Sequence, residues 1–355
     1  MDDHRMPSAG KRAAFITILI VAPLLLLGCL ELAARATTSL LYGVPGKSYG
    51  LFRSDPVLGH YPAANTYSHL TTLNDGAFRN VEDVIEPKPA GALRVIAYGG
   101  STTFCPNLTT TACWPSQLEM RLRAAAGPVR HQVLNGGVVL WSLGHLLERA
   151  KRDLPKFKPN MAIIYSGINE LANASSLAEA GTPIAELVAA GRYGVAAANY
   201  PASSWLHLHS LLFKIARYFI LRMGVLEHEA HGDAVMEAKT AQPADDLAVV
   251  RNYEVVLERI IKEARDNGAE PVFVIQASTK WMPVMTYSPA GGKVACAMGV
   301  RVVDARVAVA AYPGAIGDLF DSSIHYSAKG AAFLADYLYD RLFVHPGYSV
   351  CDRLK

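Results

Sequence analysis

Charge is scarce in this chain: 34 Lys and Arg against 31 Asp and Glu leave a formal +3 over 355 residues, with only 18% of positions charged. No long basic run interleaved with aromatics occurs, so the electrostatic footprint of a nucleic-acid binder is missing. A phosphate-binding loop is missing too, because the GKS at Gly46–Ser48 has Leu41 where the leading glycine is required. Nor is there a full set of metal ligands. His207 and His209 are two apart and would face different sides of a helix. His228 and His231 lie near Glu227, Glu229 and Asp233, but without a fuller ligand set they read as a solvated polar loop. Neither a cofactor nor a metal is expected. What the chain does have is apolar material: a 51% hydrophobic content is ample for one large domain or two small ones.

The N-terminus is different in kind. Arg5, Lys11 and Arg12 precede an uncharged run from Ala13 to Leu30, about long enough to span a bilayer. Residues 13–35 therefore read as an uncleaved signal-anchor, since a cleaved signal has a shorter core and a small-residue cleavage site. Leu26-Leu27-Gly28-Cys29 leaves open lipoprotein processing at Cys29, although Leu27 is an unusual residue for it. The basic flank predicts residues 1–12 in the cytoplasm and everything after Arg35 outside. Four other cysteines would then lie in a compartment that permits disulfides. Cys105 and Cys113 bracket a short loop and form the preferred pair; Cys296 with Cys351 is a second candidate, and free buried thiols are the remaining option.

Residues 36–90 have poor periodicity and many turn signals, among them DPVLGHYP and NDGAFRN. They read as a juxtamembrane segment that packs on the following domain through Tyr61, Phe78 and a short strand near Ser68–Leu73. Strands and helices alternate beyond Leu93. Val95–Tyr98, His131–Leu134, Met161–Tyr165, Pro271–Ile275 and Val300–Val303 read as strands. Helices are expected from Trp114 to Gly127, over Ser142–Leu154, Asp245–Asn267 and Ala328–Phe343. This alternation predicts an α/β fold of three layers, a mostly parallel sheet covered on both faces, with one transmembrane helix before it. Residues 91–345 form the domain, and 346–355 a tail. Residues 171–243 break the alternation; Trp205–Met223 within them is aromatic and leucine-rich, so this insertion either covers the site, lies against the membrane or is a plain helical addition.

Three apolar strands end in polar or glycine sets: Gly100-Ser101, Asn135-Gly136-Gly137 and Gly167-Ile168-Asn169, and a fourth set, Asp318 to His325, precedes the last helix. Open α/β sheets place ligands at these carboxyl ends. Acyl transfer needs a nucleophilic hydroxyl, a base, an acid to orient the base, and donors for the oxyanion. These four loops contain every one of those groups.

The blocks GGSTTF (Gly99–Phe104), Asn135–Gly137, SGINE (Ser166–Glu170) and DSSIHYSAKG (Asp321–Gly330) resemble the SGNH, or GDSL-type, hydrolases, more narrowly their bacterial membrane-anchored branch. The likeness runs over roughly residues 30–345, apart from the insertion, and implies a flavodoxin-like sheet. It also implies Ser101 as nucleophile, His325 as general base and acid, and an oxyanion hole made by the Ser101 N–H, the Gly137 N–H and the Asn169 amide. Where relatives carry the orienting aspartate, three residues before the histidine, this chain has Ser322. Asp321, one residue further back, is the expected orienting acid through a local bulge, with Asp318 or a backbone carbonyl as alternatives. Glu170 stands where an aspartate commonly follows the asparagine, and Leu140 where a glycine is frequent.

The function so implied is a membrane-anchored, extracytoplasmic serine esterase or deacetylase acting on an O-acyl ester, acetyl first, through an acyl-enzyme. An envelope polysaccharide or lipid is the expected kind of substrate, with the membrane as a partner, no nucleic acid, and the oligomeric state left open. Two other readings stay open: an O-acyltransferase using the same residues, and a binding domain that keeps the fold without catalysis.

Overall fold

The computed structural model describes residues 9–55, 57–127, 129–170, 210–213, 215, 243–279 and 284–354. The chain divides into two units, Met1–Tyr49 with Pro201–His228, and Gly50–Tyr200 with Glu229–Lys355. In the first, helix α1 spans Ala9–Tyr42 and contains Pro23. Its Thr17–Leu41 portion is long and apolar enough to cross a membrane, with a mean hydropathy of 2.3 over its most apolar window. Glu31 on this helix accepts hydrogen bonds at 2.9 Å from the Leu211 and Leu212 N–H groups and from the Ser210 hydroxyl. The remainder of the 171–242 stretch, with His207, His209, His228 and His231, lies outside the described residues.

The second unit is built on five parallel strands: β1 (Arg94–Gly99), β2 (Gln132–Gly137), β3 (Met161–Tyr165), β4 (Glu270–Ile275) and β5 (Arg301–Asp304). Their spatial order is β5-β4-β3-β1-β2. The connections that leave the neighbouring strands β1 and β3 run in opposite directions across the sheet, which makes the crevice at their carboxyl ends the topological switch point. Side chains alternate between two cores, as a pleated strand requires. Ile96, Tyr98, Leu134, Ile164 and Phe273 share one core with α4 (Leu143–Phe157) and α5 (Pro243–Asp266). Val95, Ala97, Val133, Ile163 and Val274 face the other with α3 (Trp114–Ala126) and α8 (Ala328–Tyr339). The fold is thus three-layered α/β/α.

Among the helices not anticipated are α6 (Val284–Ala297) and α7 (Ala305–Ala310). Pro289, Gly291 and Gly292 inside α6 are poor helix formers, but the glycines let the helix lie close on the sheet. A β-carbon at Gly291 would meet Phe273 at 2.7 Å, and one at Gly292 would meet Ile275 at 2.8 Å. The expected C-terminal tail is also pinned, by a disulfide between Cys296 of α6 and Cys351 and by the Val350 N–H donating to the Val302 carbonyl at 3.0 Å.

The turn-rich stretch before β1 carries short antiparallel pairs, Phe52–Asp55 with Gly59–Pro62 and Thr66–Tyr67 with Thr72–Leu73. Tyr61 and Phe78 are buried in the core. Arg79 and Asn80 close the edge of β2: the Arg79 N–H donates to the Asn135 carbonyl, and the Asn80 side chain pairs with Val133 and Asn135, all at 2.9 Å. The Arg79 guanidinium is fully buried and donates to the carbonyls of Leu70, Phe104, Cys105 and Leu108. Removing it strands several buried acceptors at once. Arg79→Ala should lose about 3–5 kcal/mol of stability in urea unfolding followed by the fluorescence of buried Trp114 and Trp141, and Arg79→Lys should recover only part of it.

Candidate active site

The three central strands end level with one another, Gly99 paired with both Gly137 and Tyr165. Each hands its loop to the same point. From β1 the chain turns at Gly100 into a short helical turn, α2 (Ser101–Phe104), with Ser101 its first residue. A β-carbon at Gly99 would meet the Tyr165 carbonyl at 2.5 Å, and one at Gly100 the Asn169 amide nitrogen at 2.6 Å. The two glycines therefore allow the serine turn to sit against both the exit of β3 and the Asn169 side chain. Gln276, beyond β4, donates from Nε2 to the Thr102 hydroxyl at 2.9 Å and to the Tyr165 carbonyl at 3.1 Å, holding the turn from the other side.

His325 comes from the loop before α8, and its Nε2 lies 2.9 Å from Ser101 Oγ. That spacing allows direct proton transfer between them. Asn169 spends one of its two amide N–H bonds on the Trp141 carbonyl at 2.9 Å, which fixes the amide plane beside Gly100. The Trp141 ring is in turn stacked on His145, with ring centres 5.7 Å apart at 17°. Burial, aided by the field of His60, brings the His145 pKa down to about 3, so this support is a neutral one.

Three expectations need correction. Gly137 does not direct its N–H at the serine: it donates to Asn135 Oδ1 at 3.0 Å. Its lack of a side chain serves packing, since a β-carbon there would lie 2.7 Å from the Thr103 carbonyl carbon. The Asn135-Gly136-Gly137 set belongs to β2 itself, and Asn135 Nδ2 holds the serine turn by donating to the Thr103 carbonyl at 2.9 Å. It is Leu140, in the next turn, that adopts a left-handed backbone, φ +65°, which accounts for the suitability of glycine at that position.

Asp321 does not hold the imidazole. Its Oδ2 accepts from Asn107 Nδ2 at 2.5 Å, while His325 Nδ1 lies 2.9 Å from Ser322 Oγ. Asp318, the alternative, pairs with Lys329 at 2.9 Å. The third correction concerns Cys105 and Cys113, which are free and buried. The Cys105 thiol donates to the Thr103 carbonyl and the Cys113 thiol to the Thr109 carbonyl, both at 3.4 Å, and the Arg79 guanidinium donates to Cys113 Sγ at 2.8 Å, so the loop is tied by a buried cation and backbone carbonyls in place of a disulfide. Ser322, Asn107, Gln276 and Arg79 are the residues that the sequence reading missed. Only Ser322 carried a signal, by occupying the place where an acid was expected.

No protein-family model and no curated protein matches the chain. Solved structures that resemble it include an acetylxylan esterase, Axe2, from Geobacillus stearothermophilus, at 14% identity, a TM-score of 0.45, and coverage of 72% of this chain and 96% of that one. A lipase/acylhydrolase from Enterococcus faecalis has 13% identity and a TM-score of 0.43, covering 70% and 95%. A protein described as lipolytic, of the G-D-S-L family, from Desulfitobacterium hafniense DCB-2 has 15% identity and a TM-score of 0.41, covering 69% and 96%. Among the described residues no group of three or more His, Cys, Asp or Glu is placed to hold a metal ion.

Glu170, next to Asn169, is buried and accepts from the Leu143 N–H at 3.0 Å and the Ser166 hydroxyl at 3.2 Å. Burial, partly offset by these hydrogen bonds, pushes its pKa up to about 7. An unfolded chain releases this proton near pH 4.5 and the folded one near 7, so stability falls as pH rises through that window and then levels off. Glu170→Gln keeps a neutral acceptor there. In urea unfolding the variant should match the wild type near pH 4.5 and exceed it by about 2–3 kcal/mol at pH 8.

Proposed function

We propose that the chain is a serine esterase of the SGNH type, held to a membrane by α1, with its α/β unit on the extracytoplasmic side. The observation that carries this reading is the 2.9 Å approach of His325 Nε2 to Ser101 Oγ at the switch point of the sheet, with the Asn169 amide packed on Gly100 beside it. A domain kept only for binding has no use for a base set on a serine hydroxyl, and this favours catalysis.

The steps follow from the atoms present. Ser101 Oγ attacks the ester carbonyl while His325 Nε2 takes its proton. Negative charge then grows on the carbonyl oxygen, and the second Asn169 N–H and the Ser101 backbone N–H are the donors for it; the first N–H groups of a helical turn have no partner within it. The intermediate collapses as His325 returns the proton to the leaving alcohol, leaving an acyl-Ser101 ester. Water, deprotonated by the same nitrogen, releases the acid. Gly137 has no part in the oxyanion hole on this account. The motif resemblance favours an acetyl or other short acyl group, and an N-terminal anchor with its basic flank inside favours an ester of an envelope polysaccharide or lipid.

Hydrolysis of p-nitrophenyl acetate tests this. Ser101→Ala and His325→Ala should reduce kcat to the level of the uncatalysed reaction. Asn169→Ala should cost about 10²–10³ in kcat with little change in KM, because its donor acts mainly on the transition state. Wild-type turnover no faster than that of Ser101→Ala would overturn the reading.

A further inference from the structure

Two consecutive residues beyond β3 grip the turn that leads into α4. Asn169 Nδ2 donates to the Trp141 carbonyl at 2.9 Å, and the Leu143 N–H donates to Glu170 Oε1 at 3.0 Å. The same Oε1 accepts from the Ser166 hydroxyl at 3.2 Å, so one oxygen of a buried side chain joins the start of α4 to the end of β3. Leu143 is the first residue of α4, and its N–H has no acceptor within the helix. The β3 end of this bridge is itself fixed. The Ser166 carbonyl accepts from the Tyr253 hydroxyl at 3.0 Å, and a β-carbon at Gly167 would lie 3.0 Å from the Ser288 nitrogen. The other end reaches the site. The Trp141 carbonyl oxygen would stand 3.2 Å from a β-carbon at Gly100, and the Val138 N–H donates to the Gly99 carbonyl at 3.0 Å.

We propose that Glu170 is a positioning residue for the Asn169 amide, acting through the bridge from Leu143 to Ser166. This deepens the esterase reading and rests on it. An asparagine amide has two N–H bonds, and the direction of the one offered to the oxyanion is set by the one held on Trp141. The Trp141 carbonyl therefore aims the donor. A single hydrogen bond is a pivot, about which the amide and the turn both rotate. The bond from Leu143 to Glu170, two residues further along the turn, makes the pivot a two-point clamp. Opening the clamp would leave the buried Leu143 N–H and Ser166 hydroxyl without this acceptor, away from water, and that cost holds it shut. A donor displaced by about 1 Å is enough to lose on the order of 10² in rate, so the clamp matters to the transition state far more than to substrate binding.

The test uses the full-length protein in detergent, with p-nitrophenyl acetate kinetics and amide hydrogen exchange at Leu143 read by mass spectrometry. Glu170→Leu should lower kcat about 10–100-fold with KM within about twofold. Glu170→Gln keeps an acceptor oxygen and should stay within about threefold of the wild type. The decisive readout is coupling. In an Asn169→Ala background, Glu170→Leu should cost no more than about a further twofold in kcat, because the group it positions is gone. Exchange at Leu143 should quicken about tenfold or more in Glu170→Leu and stay slow in Glu170→Gln. Ser166→Ala removes one end of the bridge more gently and should lower kcat about threefold to tenfold, so it carries the same comparison if Glu170→Leu does not fold. The proposal is overturned if these changes cost as much in the Asn169→Ala background as they do alone, if they raise KM and spare kcat, or if they leave kcat at the wild-type level. Should the wild type itself turn over no ester, the esterase reading fails separately. The bridge then stands or falls on the exchange rate at Leu143.

Discussion

At the carboxyl edge of the sheet, Gly99, Gly100 and Gly137 bring chain segments so close that a β-carbon at any of them would overlap its neighbour, the Tyr165 carbonyl, the Asn169 amide or the Thr103 backbone. The rest of the site depends on this contact. It sets the serine turn onto the ends of β2 and β3, and thereby fixes where Ser101 and Asn169 stand relative to each other. A side chain at Gly100 would push away the Asn169 amide, the proposed oxyanion donor. One at Gly137 would push the turn itself off the sheet.

Close packing of backbone leaves polar groups to be satisfied, and buried side chains do this from three directions. Asn135 ties the Thr103 carbonyl to β2, Gln276 ties Thr102 and Tyr165 to β4, and Arg79 gathers the carbonyls that follow α2. The cost of leaving such groups unpaired is what keeps the turn rigid. Rigidity matters because the Ser101–His325 contact joins two segments that are 224 residues apart, and preorganised donors act only where they stand.

Much of this was legible because strand ends are written in the sequence: apolar β-branched runs stopped by glycine or asparagine marked β1, β2 and β3, and the alternation with helices gave a parallel sheet. What escaped was of two kinds. Helix α6 was hidden because Pro289, Gly291 and Gly292 act locally as breakers, while close packing on Phe273 and Ile275 selects the same small residues for a helix. The contact of Ser322 with His325 escaped because it depends on which way a tight turn directs residues 321 and 322, and spacing alone does not encode that. The thiol pair at Cys105 and Cys113 was misjudged for a related reason: Arg79, distant in sequence, already binds that loop.

The central claim is that Ser101 is a nucleophile activated by His325. Covalent labelling of the full-length protein by a fluorophosphonate probe, located by peptide mass spectrometry, tests it most directly. The account predicts one adduct per chain, on Ser101, lost in Ser101→Ala and formed much more slowly in His325→Ala. An unlabelled protein, an adduct on another residue, or labelling indifferent to His325 would contradict it.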